Sequence, residues 1–282
     1  MSGPLVLKLG GELLDTAADR TRIASLATAI AAYRPLVIVH GGGRAIDAEL
    51  DRRAIAPRKV DGLRITDRAT LDVVVSVLAG TSNTELVAAL VAYGIPAVGL
   101  TGVDASIGRA TPTAAYRSTS GAIVDLGLVG DPAEADTSLL ELLLVHGYVP
   151  VVASLGIGDA PGSAGVPVIL NVNADVMACR IAAALGESDL VIAGGTAGVL
   201  DANGESIAML GAAGIETVIA SGTATAGMVA KLSACRTALL DGVSSVRIVD
   251  GRAFDANHGV DEAPGTTLVA SVVGAHVGAG GL

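Results

Sequence analysis

Large rings are nearly missing from this 282-residue chain: aromatic residues make up 2%, with four Tyr, one Phe and no Trp. The 51% of hydrophobic residues must therefore build the core from Ala, Val, Leu and Ile. Such chains bury Val/Ile strands under Ala/Leu helices, the α/β pattern. Cysteine is scarce too. Cys179 and Cys235 each lie in a helix-like apolar stretch and read as buried free thiols of a reducing compartment. With four histidines, they leave no metal-ligand spacing. Cations are few: 18 Lys and Arg against 28 Asp and Glu give a net charge of −10. That balance argues against nucleic acid and anionic membranes as partners. A phosphate site would have to gather its cations locally. No targeting segment is visible, since Met1–Leu9 is short and contains Lys8. Apolar stretches are short or interrupted, so no membrane span is expected despite a mean hydropathy of +0.62. The cytoplasm is the expected compartment.

Glycine, by contrast, is abundant at 37 residues, which suggests tight strand-to-helix turns and close approach of backbone to ligand. Leu5–Leu9 reads as a buried strand ending at Gly10–Gly11, and Leu36–His40 as another ending at Gly41–Gly42–Gly43. Helices follow over Arg20–Tyr33 and Ala45–Arg53, which implies parallel strands with right-handed crossovers. Asp67–Tyr93 reads as mostly helical with a break near Gly80, and Thr111–Gly130 as a hairpin or loop. Ile157–Val166, rich in Gly, Pro and Ser, is the expected linker or mobile loop. Strands are expected at Ala97–Leu100, Val149–Ser154, Val168–Leu170, Asp189–Ala193, Val246–Val249 and Thr267–Ala270. Helices are expected at Ser138–His146, Asn173–Leu185 and Met228–Leu240.

In open α/β sheets, ligands bind at the carboxyl ends of strands, and the chemistry-bearing residues gather there. Lys8 precedes the Gly10–Gly11 turn. Gly41–Gly43 offers bare N–H groups at a helix start, which cradle anions. Neither turn is a phosphate-binding P-loop or a dinucleotide fingerprint, and either alone reads equally well as a structural turn. Arg64, in a polar loop, suits a carboxylate but also fits a solvated surface. Asn173 reads as a helix N-cap with Asp175 in the favourable first turn, or as part of a site with Asn171. Lys231 sits in the first turns of an otherwise sparsely charged helix.

Together, KLGG, HGGG, DGLRITD, NVNAD and GMVAKL occur in an order that resembles the amino acid kinase family, and within it the acetylglutamate kinase branch. The resemblance runs from Pro4 to about Leu268. It implies a three-layer αβα sandwich with a mostly parallel central sheet. The lobes would be 1–167 for the acyl amino acid and dimerisation, and 168–282 for the nucleotide. The reaction implied is ATP-dependent phosphorylation of N-acetyl-L-glutamate to N-acetyl-L-glutamyl 5-phosphate, a step of arginine biosynthesis, with Mg2+ bound to the nucleotide phosphates and no metal site in the protein itself. Lys8 and Lys231 would flank the phosphoryl group, with Asp175 between them. Gly42, Gly43, Arg64, Asn171 and Asn173 would hold the substrate. Gly10, Gly11, Gly194, Gly195, Thr196, Gly198, Thr223, Thr225 and Gly227 would hold the nucleotide, and the Thr111–Gly127 hairpin would be a lid. A homodimer is implied, without arginine feedback because the first strand begins by Leu5.

The chemistry is consistent with that resemblance. A glutamate side-chain carboxylate has a pKa near ~4.3 and is an anion at pH 7, so no general base is required. The reaction needs in-line positioning and charge neutralisation. One departure stands out: the family commonly has Ser-Asp after the Asp189–Ala193 strand, where this chain has Gly194–Gly195–Thr196. Kinases of a related acyl amino acid (N-succinylglutamate or carrier-bound aminoadipate) and a non-catalytic regulatory homologue are the alternatives.

Overall fold

Leu5–Leu9, Leu36–His40 and Val149–Ala153 are apolar almost without alternation, and all three are buried at every position. Strands covered on both faces belong in the middle of a parallel sheet. The computed structural model places them there. It describes residues 3–113, 115–118, 120–161, 166–201, 203–222, 224, 226–254, 260 and 262–270.

The main sheet has eight strands, in the order Met209–Gly211, Gly265–Val269, Ser245–Asp250, Asp189–Gly194, Leu5–Leu9, Leu36–His40, Val149–Ala153, Ala97–Thr101. Among the described residues of this sheet, only the Ser245–Asp250 and Gly265–Val269 pair is antiparallel. Strand alternation divides the core. Leu5, Leu7 and Leu9 join one cluster with Ile23, Ala27 and Leu86. Val6 joins the opposite cluster with Met177, Ala178 and Leu232. The three-layer expectation is therefore met. Period-2 geometry also puts Lys8 on the face of Val6, beneath the helices Ala174–Leu185 and Ala226–Leu240.

In-register pairing sets Leu9 beside His40 and Ala193. The turns at Gly10–Gly11, Gly41–Gly43 and Gly194–Gly195 therefore leave the same edge of the sheet. A closed four-stranded barrel covers that edge, built from Arg109–Pro112, Val129–Pro132, Leu155–Pro161 and Pro167–Val172. The hairpin Tyr116–Arg117 with Ile123–Val124 extends from it.

Two expectations are corrected. The first half of Ile157–Val166 is not a linker: Leu155–Pro161 is a strand paired antiparallel to Pro167–Val172, and residues 162–165 lie outside the described part. Just ahead of that segment, the glycine at 156 serves packing. A Cβ on Gly156 would stand 2.8 Å from Val172 Cγ2 and 2.9 Å from the Gly108 carbonyl oxygen. Nor does the helix break at Gly80. Arg68–Val75 runs through a π-helical stretch, Ser76–Ser82, into Asn83–Ala92. By length and composition this 25-residue run is apolar enough to cross a membrane, but here Leu71, Val74, Leu78, Leu86 and Leu90 are buried in the fold. The strand Met209–Gly211 and the helix Ala212–Ser221 have no counterpart among the elements expected from sequence.

His40 is fully buried at the end of its strand. The Asn83 side-chain nitrogen lies 3.0 Å from His40 Nε2 and 3.0 Å from the Val151 carbonyl oxygen. An amide nitrogen only donates, so Nε2 accepts and the proton sits on Nδ1, which donates to the Gly41 carbonyl at 3.1 Å. Burial lowers the His40 pKa to about 4, against a smaller upward pull from Gly41. The unfolded chain therefore binds this proton at higher pH than the folded one. Stability from neutral His40 is complete above pH ~6.5 and is lost as pH falls towards 4, about 3 kcal/mol in all. Urea midpoints taken between pH 7 and 4.5 should fall, and His40→Gln should flatten that slope.

Candidate active site

Asn173 opens the helix Ala174–Leu185 as its N-cap, its side-chain oxygen accepting from the N–H groups of Asp175 (2.8 Å) and Val176 (3.3 Å). That cap aims Asp175 back at the strand Leu5–Leu9. Lys8 Nζ lies 2.7 Å from Asp175 Oδ1, and Lys231 Nζ lies 3.6 Å from Oδ2. All three side chains are largely buried, at 10–14% exposure. Burial pushes Asp175 up, but the two ammonium groups outweigh it and hold the carboxyl below its ordinary range. The cluster carries two positive charges against one negative and can accept another anion.

Beside it, two glycine turns press together. A Cβ on Gly11 would stand 2.8 Å from Gly42 Cα and 2.9 Å from Gly43 N. One on Gly42 would stand 2.8 Å from Leu78 Cδ2. Gly43 differs, because nothing lies within 4 Å of its Cβ position. It begins the helix Gly43–Arg52 and faces open space on the wall of a cavity of about 460 Å³. Lys8, Gly10, Gly11, Asn171, Asn173 and Asp175 share that wall.

Arg64 lines the same cavity and is 8% exposed, so it is no solvated surface residue. Its Nη1 pairs with Asp47 at 2.7 Å, and its Nη2 donates to the Gly43 carbonyl at 3.2 Å. Lys59 holds the other Asp47 oxygen at 2.6 Å. The guanidinium is fixed, with donors to spare. Asn171 donates to Thr66 Oγ1 at 3.1 Å, tying the far wall to the Arg64 loop. Tyr116 of the hairpin donates to Asp61 at 3.1 Å and also faces the cavity.

The nucleotide set is only partly gathered. Gly194 and Gly195 meet Glu12, which lines the cavity, but they do not line it themselves. Thr196 is exposed, and Gly227 is not on the cavity wall. Gly198 packs away from it: at φ +102°, its Cβ would stand 2.5 Å from Thr266 Oγ1. Its glycine answers to backbone shape. Thr223 and Thr225 lie outside the described residues. Sequence reasoning does not single out Glu12, Asp47 or Lys59. Only Glu12 carries a signal, directly after a glycine turn.

A large parallel sheet with two lysines, a bridging aspartate and paired glycine turns at its carboxyl edge defines a class of small-molecule phosphoryl-transfer proteins. The model of the amino acid kinase family matches residues 3–250, and the chain belongs to that family. Two curated relatives are named acetylglutamate kinase. That of Symbiobacterium thermophilum is 40% identical over 88% of this chain and 84% of its own length. That of Solibacter usitatus is 42% identical over 88% of this chain and 91% of its own. Among solved structures, an N-acetylglutamate synthase of Neisseria gonorrhoeae in complex with coenzyme A and N-acetyl-glutamate has the same fold. It aligns at TM-score 0.79 and 22% identity, over 96% of this chain and 60% of that one.

The two glycine turns should respond differently to a methyl group. Gly11→Ala drives it into backbone and should lower stability by about 1–3 kcal/mol. Gly43→Ala enters open space at a helix start and should leave stability unchanged or raised by less than about 1 kcal/mol. It should nonetheless weaken ligand binding. Chemical denaturation of both variants beside ligand titration separates the two effects.

Proposed function

We propose that this cavity transfers the γ-phosphoryl group of ATP to the side-chain carboxylate of N-acetyl-L-glutamate, giving N-acetyl-L-glutamyl 5-phosphate, a step of arginine biosynthesis. The observation that carries the reading is Lys8 and Asp175 on the wall of a cavity, beside two glycine turns, with Lys231 paired to the same aspartate. The kinase relatives at about 40% identity support the same reaction.

The acceptor carboxylate is already ionised at pH 7, so the protein need not remove a proton. It must hold two anions in line and neutralise charge that spreads over the transferring group. Lys8 and Lys231 take the two sides of that group. Asp175 fixes their spacing. The N–H groups of Gly11 and Gly43 face the phosphate oxygens and the reacting carboxylate. Arg64 takes the α-carboxylate, Asn171 the acetamido end, and the Tyr116 hairpin closes over both. Mg2+ bound with the nucleotide would add neutralising charge. The carboxylate and carbonyl oxygens at the end of the first strand suit so hard a cation. In this reading residues 1–167 hold the acyl amino acid, 168–282 hold the nucleotide, and the active form is a homodimer.

A hydroxamate assay tests the reading with purified protein, ATP, Mg2+ and N-acetyl-L-glutamate, beside glutamate and N-succinylglutamate. Signal with N-acetyl-L-glutamate alone is expected, and its absence with all three would overturn the proposal. Lys8→Ala and Lys231→Ala should each lower kcat by ~10²–10³. Arg64→Ala should chiefly raise the KM for the acyl amino acid.

A further inference from the structure

Three acids face the central cavity: Glu12, Asp131 and Asp175. Asp175 is taken up by two lysines. Asp131 is exposed and belongs to the barrel. Glu12 alone stands among the bare strand ends. Its Oε1 accepts the Gly195 N–H at 2.9 Å. Both of its oxygens lie 2.5 Å from where a Cβ on Gly10 would be, and Oε1 lies 3.3 Å from the same point on Gly194. A single carboxylate thus fills the gap between the first strand end and the Asp189–Gly194 strand end, which only glycines leave open. Oε2 has no hydrogen-bond partner among the described residues. The opposite side of Gly195 is fixed as well: Arg252 donates to its carbonyl at 2.7 Å and is itself held by Asp250 at 2.8 Å.

This negative charge sits where a phosphate-binding turn would otherwise be purely receptive. A carboxylate next to a phosphate repels it, and a divalent cation between the two turns that repulsion into attraction. We propose that Glu12 holds the Mg2+ that accompanies the nucleotide, so that this chain selects the metal–nucleotide complex over the bare nucleotide. The proposal rests on the nucleotide-binding part of the proposed function, but not on the identity of the acceptor. The free oxygen serves the metal, while the bonded oxygen keeps the carboxylate from swinging away. The glycine at 194 then has a reason beyond the turn, since a side chain there would press on the acid.

Calorimetric titration with ADP, in Mg2+ and in EDTA, tests this without turnover. The unsubstituted protein should bind ADP about tenfold or more tightly with Mg2+ than without. Glu12→Gln keeps an oxygen for the Gly195 N–H and removes the charge. It should strengthen metal-free binding severalfold and shrink the gain from Mg2+ to under about threefold. Adding Gly195→Asp to Glu12→Gln should restore the gain, because a Cβ at 195 meets nothing closer than 3.7 Å. If Glu12→Gln instead weakens ADP equally in both buffers, Glu12 is only a brace for the Gly195 turn and the proposal fails. If the unsubstituted protein binds no ADP in either buffer, the nucleotide reading itself falls, and this proposal with it.

Discussion

The site depends on one carboxylate between two ammonium groups. Asp175 cannot be neutral there, because Lys8 and Lys231 outweigh the effect of its burial. Without it, two like charges would share a space with little water and repel each other. The three residues come from a strand and two helices far apart in sequence. The carboxylate therefore also ties the first strand to two helices of the second half of the chain. Its aim is fixed by the Asn173 cap, so a residue that reads as ordinary helix punctuation sets the geometry of a charged cluster.

Much of this is legible in the amino-acid sequence, for physical reasons. Apolar runs such as Leu36–His40 can be little else than central strands, and their ends locate the ligand edge of the sheet. Lys8, Asp175 and Lys231 are grouped by the family resemblance; read alone, Asp175 is an ordinary first-turn acid and Lys231 a lone charge on a sparsely charged helix. The gaps have physical causes too. Ile157–Val166 resembles a linker because glycine reports both looseness and close packing, and the sequence does not say which. Just before it, Gly156 packs against Val172 and the Gly108 carbonyl, and Leu155–Pro161 is a barrel strand. Gly80 resembles a helix stop, but a π-helical stretch carries the helix through it and presses Leu78 against Gly42. Arg64 is visible as a candidate, whereas its clamp, Asp47 with Lys59, is not. That pairing joins a helix to a two-residue strand and leaves no local pattern.

The scarcity of aromatic residues bears on the site as well. Ala178, Ala182 and Ala238 are buried in the core where Ala174–Leu185 and Ala226–Leu240 pack together. Small side chains let two helices approach closely. Cys179 and Cys235 lie one helical turn below Asp175 and Lys231 respectively, and both are buried. Hydrogen bonding with the Cys179 thiol, together with burial, pushes the Cys235 thiol above its ordinary range. Cys235 therefore packs as an inert thiol, with Cys179 buried beside it. Had either position carried a large ring, the helices would stand further apart. Lys231 Nζ is already 3.6 Å from its carboxylate, near the limit of an ion pair, so a wider spacing would break the bridge. The composition that limits this core to small side chains is thus the condition under which two lysines from separate elements can share one aspartate.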